Sequence, residues 1–91
     1  MELKQALATA LRKTRQSRGL TQEDFSDVSG RTYVSSLERG LKSPTLDKIV
    51  GLAGRIGVHP LSLLAEVFLL ADEEDDIEEL FTKVRNDLSR R

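Results

Sequence analysis

The chain reads as an all-α domain of five or six short helices, and three observations predict it. Apolar residues recur with the 3.6-residue period of an amphipathic helix along nearly the whole chain. No segment alternates with period two, and no run is rich in Val, Ile and Thr as a strand would be. Hydroxyl side chains, glycines and prolines fall where helices start and stop. No internal repeat is found.

The first predicted helix runs from about Glu2 to Arg18, with Leu3, Leu7, Ala10, Leu11 and Thr14 on one stripe and Gly19 as its stop. The second opens at Thr21, an N-cap residue with Asp24 three positions on, close to a capping box. It runs to about Asp27, and its inner face is Phe25 and Val28. The third, about Arg31 to Arg39, turns Val34 and Leu37 inward and stops at Gly40. Lys42, Ser43 and Pro44 form a loop, because proline keeps the residue before it extended. The fourth starts at the N-cap Thr45, buries Leu46, Ile49, Val50, Leu52, Ala53 and Ile56, and ends at Gly57. The fifth begins with Pro60 at its first position and runs to about Ala71. The sixth starts among the acids of Asp72–Glu79 and runs to about Ser89.

The fifth helix is apolar around nearly its whole circumference, so it must be covered on all sides. The sixth is amphipathic, with Ile77, Leu80, Phe81, Val84 and Leu88 on one stripe. Seven acids among the eight residues 72–79 sit at its N-terminal end, where they favour the helix dipole, and Arg85, Arg90 and Arg91 sit towards the other end. Two covers suit the fifth helix: the sixth folded back over it, or a second chain. The expected organisation is residues 1–71 as one domain and 72–91 as a further amphipathic helix for oligomerisation or capping. The expected oligomer interface is Leu63, Val67, Phe68, Leu70, Ile77, Leu80, Phe81 and Val84.

Ninety-one residues make one domain with a modest core. Apolar content of 38% and charged content of 32% fit a soluble globular chain. There is no cysteine, hence no disulfide framework and no thiolate metal site. The N-terminus is amphipathic and lacks the apolar run of a signal peptide, and no stretch is long enough to span a membrane. A cytoplasmic location without membrane contact is expected. The net charge of −1 hides an asymmetry. Residues 1–45 carry eight Lys/Arg against five Asp/Glu, and residues 46–91 six against ten. Such a chain can present its basic end to a polyanion, although an acidic tail can also serve solubility alone.

The third helix carries the chemistry. With Val34 and Leu37 inward, Thr32, Ser36 and Arg39 point outward, Ser35 lies beside them, and Arg31 and Tyr33 flank the first turn. Glu38 lies nearer the core. A face of hydroxyls and arginines suits base edges and phosphates: arginine can hold guanine O6 and N7 together, and threonine offers a hydroxyl and a methyl. The same face could also be an ordinary solvated one.

Residues 19–25 read GLTQEDF, residues 31–40 RTYVSSLERG and residues 43–60 SPTLDKIVGLAGRIGVHP. Together, over about Leu11 to Leu64, this string resembles the Cro/cI-type (XRE family) helix-turn-helix of phage repressors and of the controller proteins of restriction–modification systems. The resemblance implies a five-helix lambda-repressor-like DNA-binding domain, here with an additional C-terminal helix, that usually works as a homodimer on a near-palindromic operator. It implies base contacts from Arg31, Thr32 and Ser36. It implies backbone contacts from Gln22, Tyr33, Arg39, Lys42 and Ser43, and Thr21 and Ser35 complete that expected set. It also implies an ion pair between Arg15 and Glu38, which would turn the carboxylate of a helix beside DNA inward. Two departures stand out. The family usually has about two more residues between its first motif helix and the RTY run, whereas here Gly30 leads directly into Arg31, with Ser29 as a candidate N-cap. The chain also ends too soon for a ligand-binding, protease-like or cupin module, so no small-molecule ligand is expected. Regulation is then expected through abundance, a protein partner or oligomerisation.

Other chemistry is thin. His59 is the only histidine and reads as a helix-start residue rather than a metal ligand. The Asp72–Asp76 cluster lacks the glycine and ligand spacing of a calcium loop. No nucleophile motif or phosphate-binding glycine loop is present, so neither catalysis, a cofactor nor a metal is expected. The expected function is a sequence-specific regulator of transcription on double-stranded DNA, self-associating as a homodimer or higher oligomer. An antitoxin that binds DNA and a toxin partner shares this fold, and a protein-interaction adaptor without DNA is the rival of a different class.

Overall fold

The computed structural model describes residues 1–27 and 30–90, with the side chain of Arg31 also left aside. The expected core residue Val28, the expected cap Ser29 and the terminal Arg91 therefore lie outside the described residues. Among the described residues there are five α-helices and one short 3-10 helix, and no strand: α1 (Leu3–Ser17), the 3-10 helix Gln22–Phe25, α2 (Arg31–Glu38), α3 (Leu46–Ile56), α4 (Pro60–Ala71) and α5 (Ile77–Ser89). The all-α class and the order of the helices match the reading of the sequence. No single helix is long and apolar enough to cross a membrane.

Local signals set the ends. The Thr45 hydroxyl accepts from the Lys48 amide at 3.2 Å and starts α3, and Gly57 closes it in the left-handed conformation. His59 caps α4: its Nδ1 accepts from the Leu61 amide at 3.0 Å, and Pro60 occupies the first turn, where an amide hydrogen would have no partner. Asp76 caps α5 by accepting from the Glu78 amide at 2.9 Å. Gly40, at φ +73°, reverses the chain after α2, a backbone that a residue with a Cβ adopts only with strain.

The core is formed by Ala6, Leu7, Ala10 and Leu11 of α1, Phe25, Val34 and Leu37 of the central segment, Ile49, Leu52 and Ile56 of α3, and Leu63 and Val67 of α4. α1 packs against both α2 and α4, so it is the spine of the domain. Lys13 and Glu66, 3.1 Å apart, pin α1 to α4 at the surface. Leu3, Leu46 and Val50, expected inside, are exposed. Leu3 and Leu46 are the first residues of their helices. Val50 lies on the shoulder of a stripe whose centre is Ile49, Leu52, Ala53 and Ile56.

The second predicted helix is the main local difference. It forms a single 3-10 turn, Gln22–Phe25, rather than an α-helix to Asp27. Its capping box does form: the Asp24 carboxylate accepts from the Thr21 amide at 2.7 Å and from the Thr21 hydroxyl at 3.2 Å. Gly30, at φ +81°, then leads into α2 and stands at its N-cap.

α4 explains half of the apolar excess read from the sequence. Leu63 and Val67 point into the chain's own core and are buried, so they are not available to a second chain. Phe68 is exposed and Leu70 partly buried. α5 packs on α4, yet no residue of α5 is buried.

Candidate nucleic-acid interface

α2 is held by an ionic cluster under its C-terminal end. Arg15 on α1 clasps Glu38 with two hydrogen bonds, Nε to Oε2 at 2.7 Å and Nη2 to Oε1 at 2.8 Å. Its third arm, Nη1, donates to the Leu20 carbonyl at 2.8 Å. Gln22 donates from Nε2 to Glu38 Oε1 at 3.1 Å, and Arg12 donates from Nη2 to the Glu38 carbonyl at 2.8 Å. Arg15 and Glu38 are only 8% and 3% exposed. The hydrogen bonds to Glu38, ahead of the opposing cost of burial, raise the Arg15 pKa above its ordinary value. A carboxylate beside a polyanion would be repulsive; here it is neutralised and turned inward, as the sequence resemblance implies.

The cluster also joins the two elements of the motif. Gln22 begins the 3-10 helix and Glu38 ends α2, so one carboxylate ties both to α1. From the other side, Arg55 of α3 donates to the Asp24 carbonyl at 2.7 Å and lies 3.6 Å from the Asp27 carboxylate. The short 3-10 turn is thus held at both ends.

The outward face of α2 is narrower than the helical wheel implies. Thr32 and Arg39 are exposed, and Tyr33 and Ser35 are partly exposed. Ser36 is not outward: it is 7% exposed. After Gly40 the chain folds back so that the Leu41 amide donates to the Ser36 carbonyl at 3.0 Å, and α1 packs against α2. A wheel drawn for one helix cannot show which of its flanks the neighbouring elements cover. The side chain of Arg31 lies outside the described residues, and its backbone opens α2.

A second positive feature lies beside this face. The ammonium groups of Lys42 and Lys48 stand 5.6 Å and 5.4 Å from the centre of the Tyr33 ring, a distance at which the ring's negative face attracts a cation. Lys42 and Tyr33 were expected here, Thr21 and Ser43 are exposed, and Lys48 was missed. A signal for Lys48 was present. It sits in the first turn of α3, where the helix dipole disfavours a cation, so its placement calls for another partner. Arg12 and Arg55 were also missed, because nothing in their own helices marks them as reaching a neighbouring backbone. Among the described residues no group of three His, Asp or Glu side chains is placed to hold a metal ion.

Comparison with known proteins supplies the family. A helix-turn-helix family model matches residues 11–63, more than half of the chain. The chain belongs to the XRE-type helix-turn-helix family. Over 66 residues it is 35% identical to an uncharacterized HTH-type transcriptional regulator, y4dJ, of Sinorhizobium fredii, a match spanning 70% of this chain and 86% of that one. Over another 66-residue match it is 35% identical to control protein C.SmaI of Serratia marcescens, spanning 70% and 79% of the two chains. It is 26% identical over 90 residues to the immunity repressor protein of Bacillus phage phi105, spanning 88% and 62%. Among solved structures, the clp gene regulator ClgR of Corynebacterium glutamicum superposes with a TM-score of 0.71 at 25% identity, covering 99% of this chain and 89% of that chain. This helix-turn-helix protein is a transcriptional regulator with a DNA-binding domain. In it α2 is the second helix of the motif, and the 3-10 turn stands where the first motif helix belongs.

Proposed function

We propose that this regulator binds a near-palindromic operator as a homodimer, with α2 of each copy in the major groove. The observation that carries the reading is the face of α2. Thr32 and Arg39 stand free on it, the Tyr33 ring with Lys42 and Lys48 lies beside it, and the one carboxylate of the helix is locked away by Arg15. In this reading Arg31 and Thr32 contact base edges at the leading end of α2, while Thr21, Tyr33, Ser35, Arg39, Lys42, Ser43 and Lys48 contact the backbone. Gln22 contributes by supporting α2 through Glu38, and its position at the start of the 3-10 turn leaves it beside the same surface. Ser36, being buried, is not part of the set.

The exposed side chains of α5 supply the second element of the reading, a surface for self-association, and two copies then meet half-sites about one DNA turn, ~34 Å, apart. In this reading the protein works in the cytoplasm, where it meets its DNA. The same exposed apolar surface would suit an antitoxin's partner, and co-purification of a small basic protein with the tagged chain would favour that alternative. The direct test is genome-wide mapping of sites bound by the tagged protein. A small set of sites sharing an inverted repeat is the expected result, and uniform background over the genome would refute the operator reading.

A further inference from the structure

The exposed face of α5 has a pattern that defines how it can be covered. We propose that α5 pairs antiparallel with α5 of a second copy of this chain, about a two-fold axis near the middle of the helix. This rests on the homodimer reading above and gives it an orientation.

The seam comes first. Ile77, Phe81, Val84 and Leu88 follow one another at spacings of four, three and four, the repeat of a two-helix seam. They are 44%, 37%, 43% and 56% exposed, so a large part of each remains to be covered. Leu61 of α4, also exposed, lines the same groove as Ile77 and Phe81 and widens the patch. That width matters, because a pair of 13-residue helices alone falls short of the ~800 Å² per partner that a stable interface buries.

Charge then selects the orientation. Glu78 and Arg85 lie seven residues apart on one flank of the seam. They are about 10 Å apart along the axis, too far to pair within one helix. In an antiparallel pair each flank faces its own symmetry mate, so Glu78 of one copy meets Arg85 of the other, twice. In a parallel pair this flank faces the opposite one, where Leu80 and Asp87 stand, and Arg85 meets Leu80. The ends agree. A parallel pair sets the seven acids of residues 72–79 beside the same seven of the second copy, whereas an antiparallel pair sets them near Arg85 and Arg90. Antiparallel helix dipoles oppose each other, setting the positive end of each helix beside the negative end of the other, which favours the same orientation.

The absence of native cysteine makes the test clean. Full-length Ile77→Cys and Leu88→Cys variants, refolded together to exchange subunits and then oxidised, are expected to give a crosslinked dimer joining position 77 to position 88. Neither variant alone should crosslink. Self-crosslinking of Ile77→Cys alone would overturn the antiparallel pairing. As a second measurement, Glu78→Arg is expected to weaken self-association roughly tenfold by turning two exposed pairs repulsive, and Glu78→Arg with Arg85→Glu to restore it. Circular dichroism checks that each variant folds. A single variant without effect, or a double variant without rescue, would also overturn the pairing. Sedimentation equilibrium separates the two claims: a wild-type chain that stays monomeric removes the homodimer reading itself, while a wild-type dimer without the 77–88 link removes only its orientation.

Discussion

Glu38 shows best how a single residue links fold to function. It ends α2, accepts from Arg15 and Gln22, and is nearly sealed from water. Removing one partner of a buried pair leaves the other charge uncompensated, so Glu38→Ala should cost about 3–5 kcal/mol of stability, read from urea unfolding. A loss below ~1 kcal/mol would mean that Arg15 finds water instead. Asp24 makes a pH-dependent prediction. Its hydrogen bonds from the Thr21 amide, and next from the Thr21 hydroxyl, hold its pKa below the ordinary carboxylate value. The capping contribution is therefore present above the unfolded pKa and is lost as pH falls through the lower folded one. The Thr21 amide shift, followed by NMR, should titrate with a midpoint below ~3.9; a midpoint at or above that value would deny the hydrogen bond its effect. At this scale the sequence was legible in part. The Arg15–Glu38 pair could be anticipated because its motif string is distinctive. Ser36 could not, because the burial of a side chain set opposite its helix's own apolar stripe depends on neighbouring elements rather than on its own helix.

Helix ends were the most legible feature among the elements, since capping is local: Thr45, Gly57, Pro60 and Gly40 each act within a few residues of their own position. The Thr21–Asp24 box was legible for the same reason, but the length of the helix behind it was not. A capping box marks where a helical segment starts and not how far it runs, and here one 3-10 turn, Gln22–Phe25, follows it. Arg55 and Gln22 then hold that turn from opposite sides. The lysines around Tyr33 belong to this scale too, because they join the α2–α3 loop to the first turn of α3. Lys42→Ala and Lys48→Ala should each weaken binding to all duplexes alike and flatten the slope of log K against log salt by about one, measured by fluorescence anisotropy. Loss confined to the operator would assign them to base reading instead.

Across the whole molecule, charge is divided along the sequence: the basic half holds the motif, and the acidic half holds α4 and α5. The core is complete without α5: its buried residues run from Ala6 to Val67. A chain truncated after Ala71 should therefore keep its helical circular dichroism while its self-association weakens, read by sedimentation equilibrium. Persistence of the dimer at low concentration would move the interface onto α4 or α1. The sequence indicated that α4 had more apolar surface than one domain could cover, but not which residues faced inward. Leu63 and Val67 look like Phe68 in composition, and only the packing of α1 and α3 separates them.

The most direct measurement is selection of duplexes from a random pool by the purified full-length protein, followed by titration of the enriched duplex with wild type and with Arg31→Ala and Thr32→Ala. The expected result is an inverted repeat with half-site centres about one DNA turn apart, bound roughly 1–3 kcal/mol more weakly, and with relaxed specificity, by Arg31→Ala. A pool that enriches no sequence, or an operator that Arg31→Ala and Thr32→Ala bind as tightly and as selectively as wild type, would contradict α2 as the element that reads DNA.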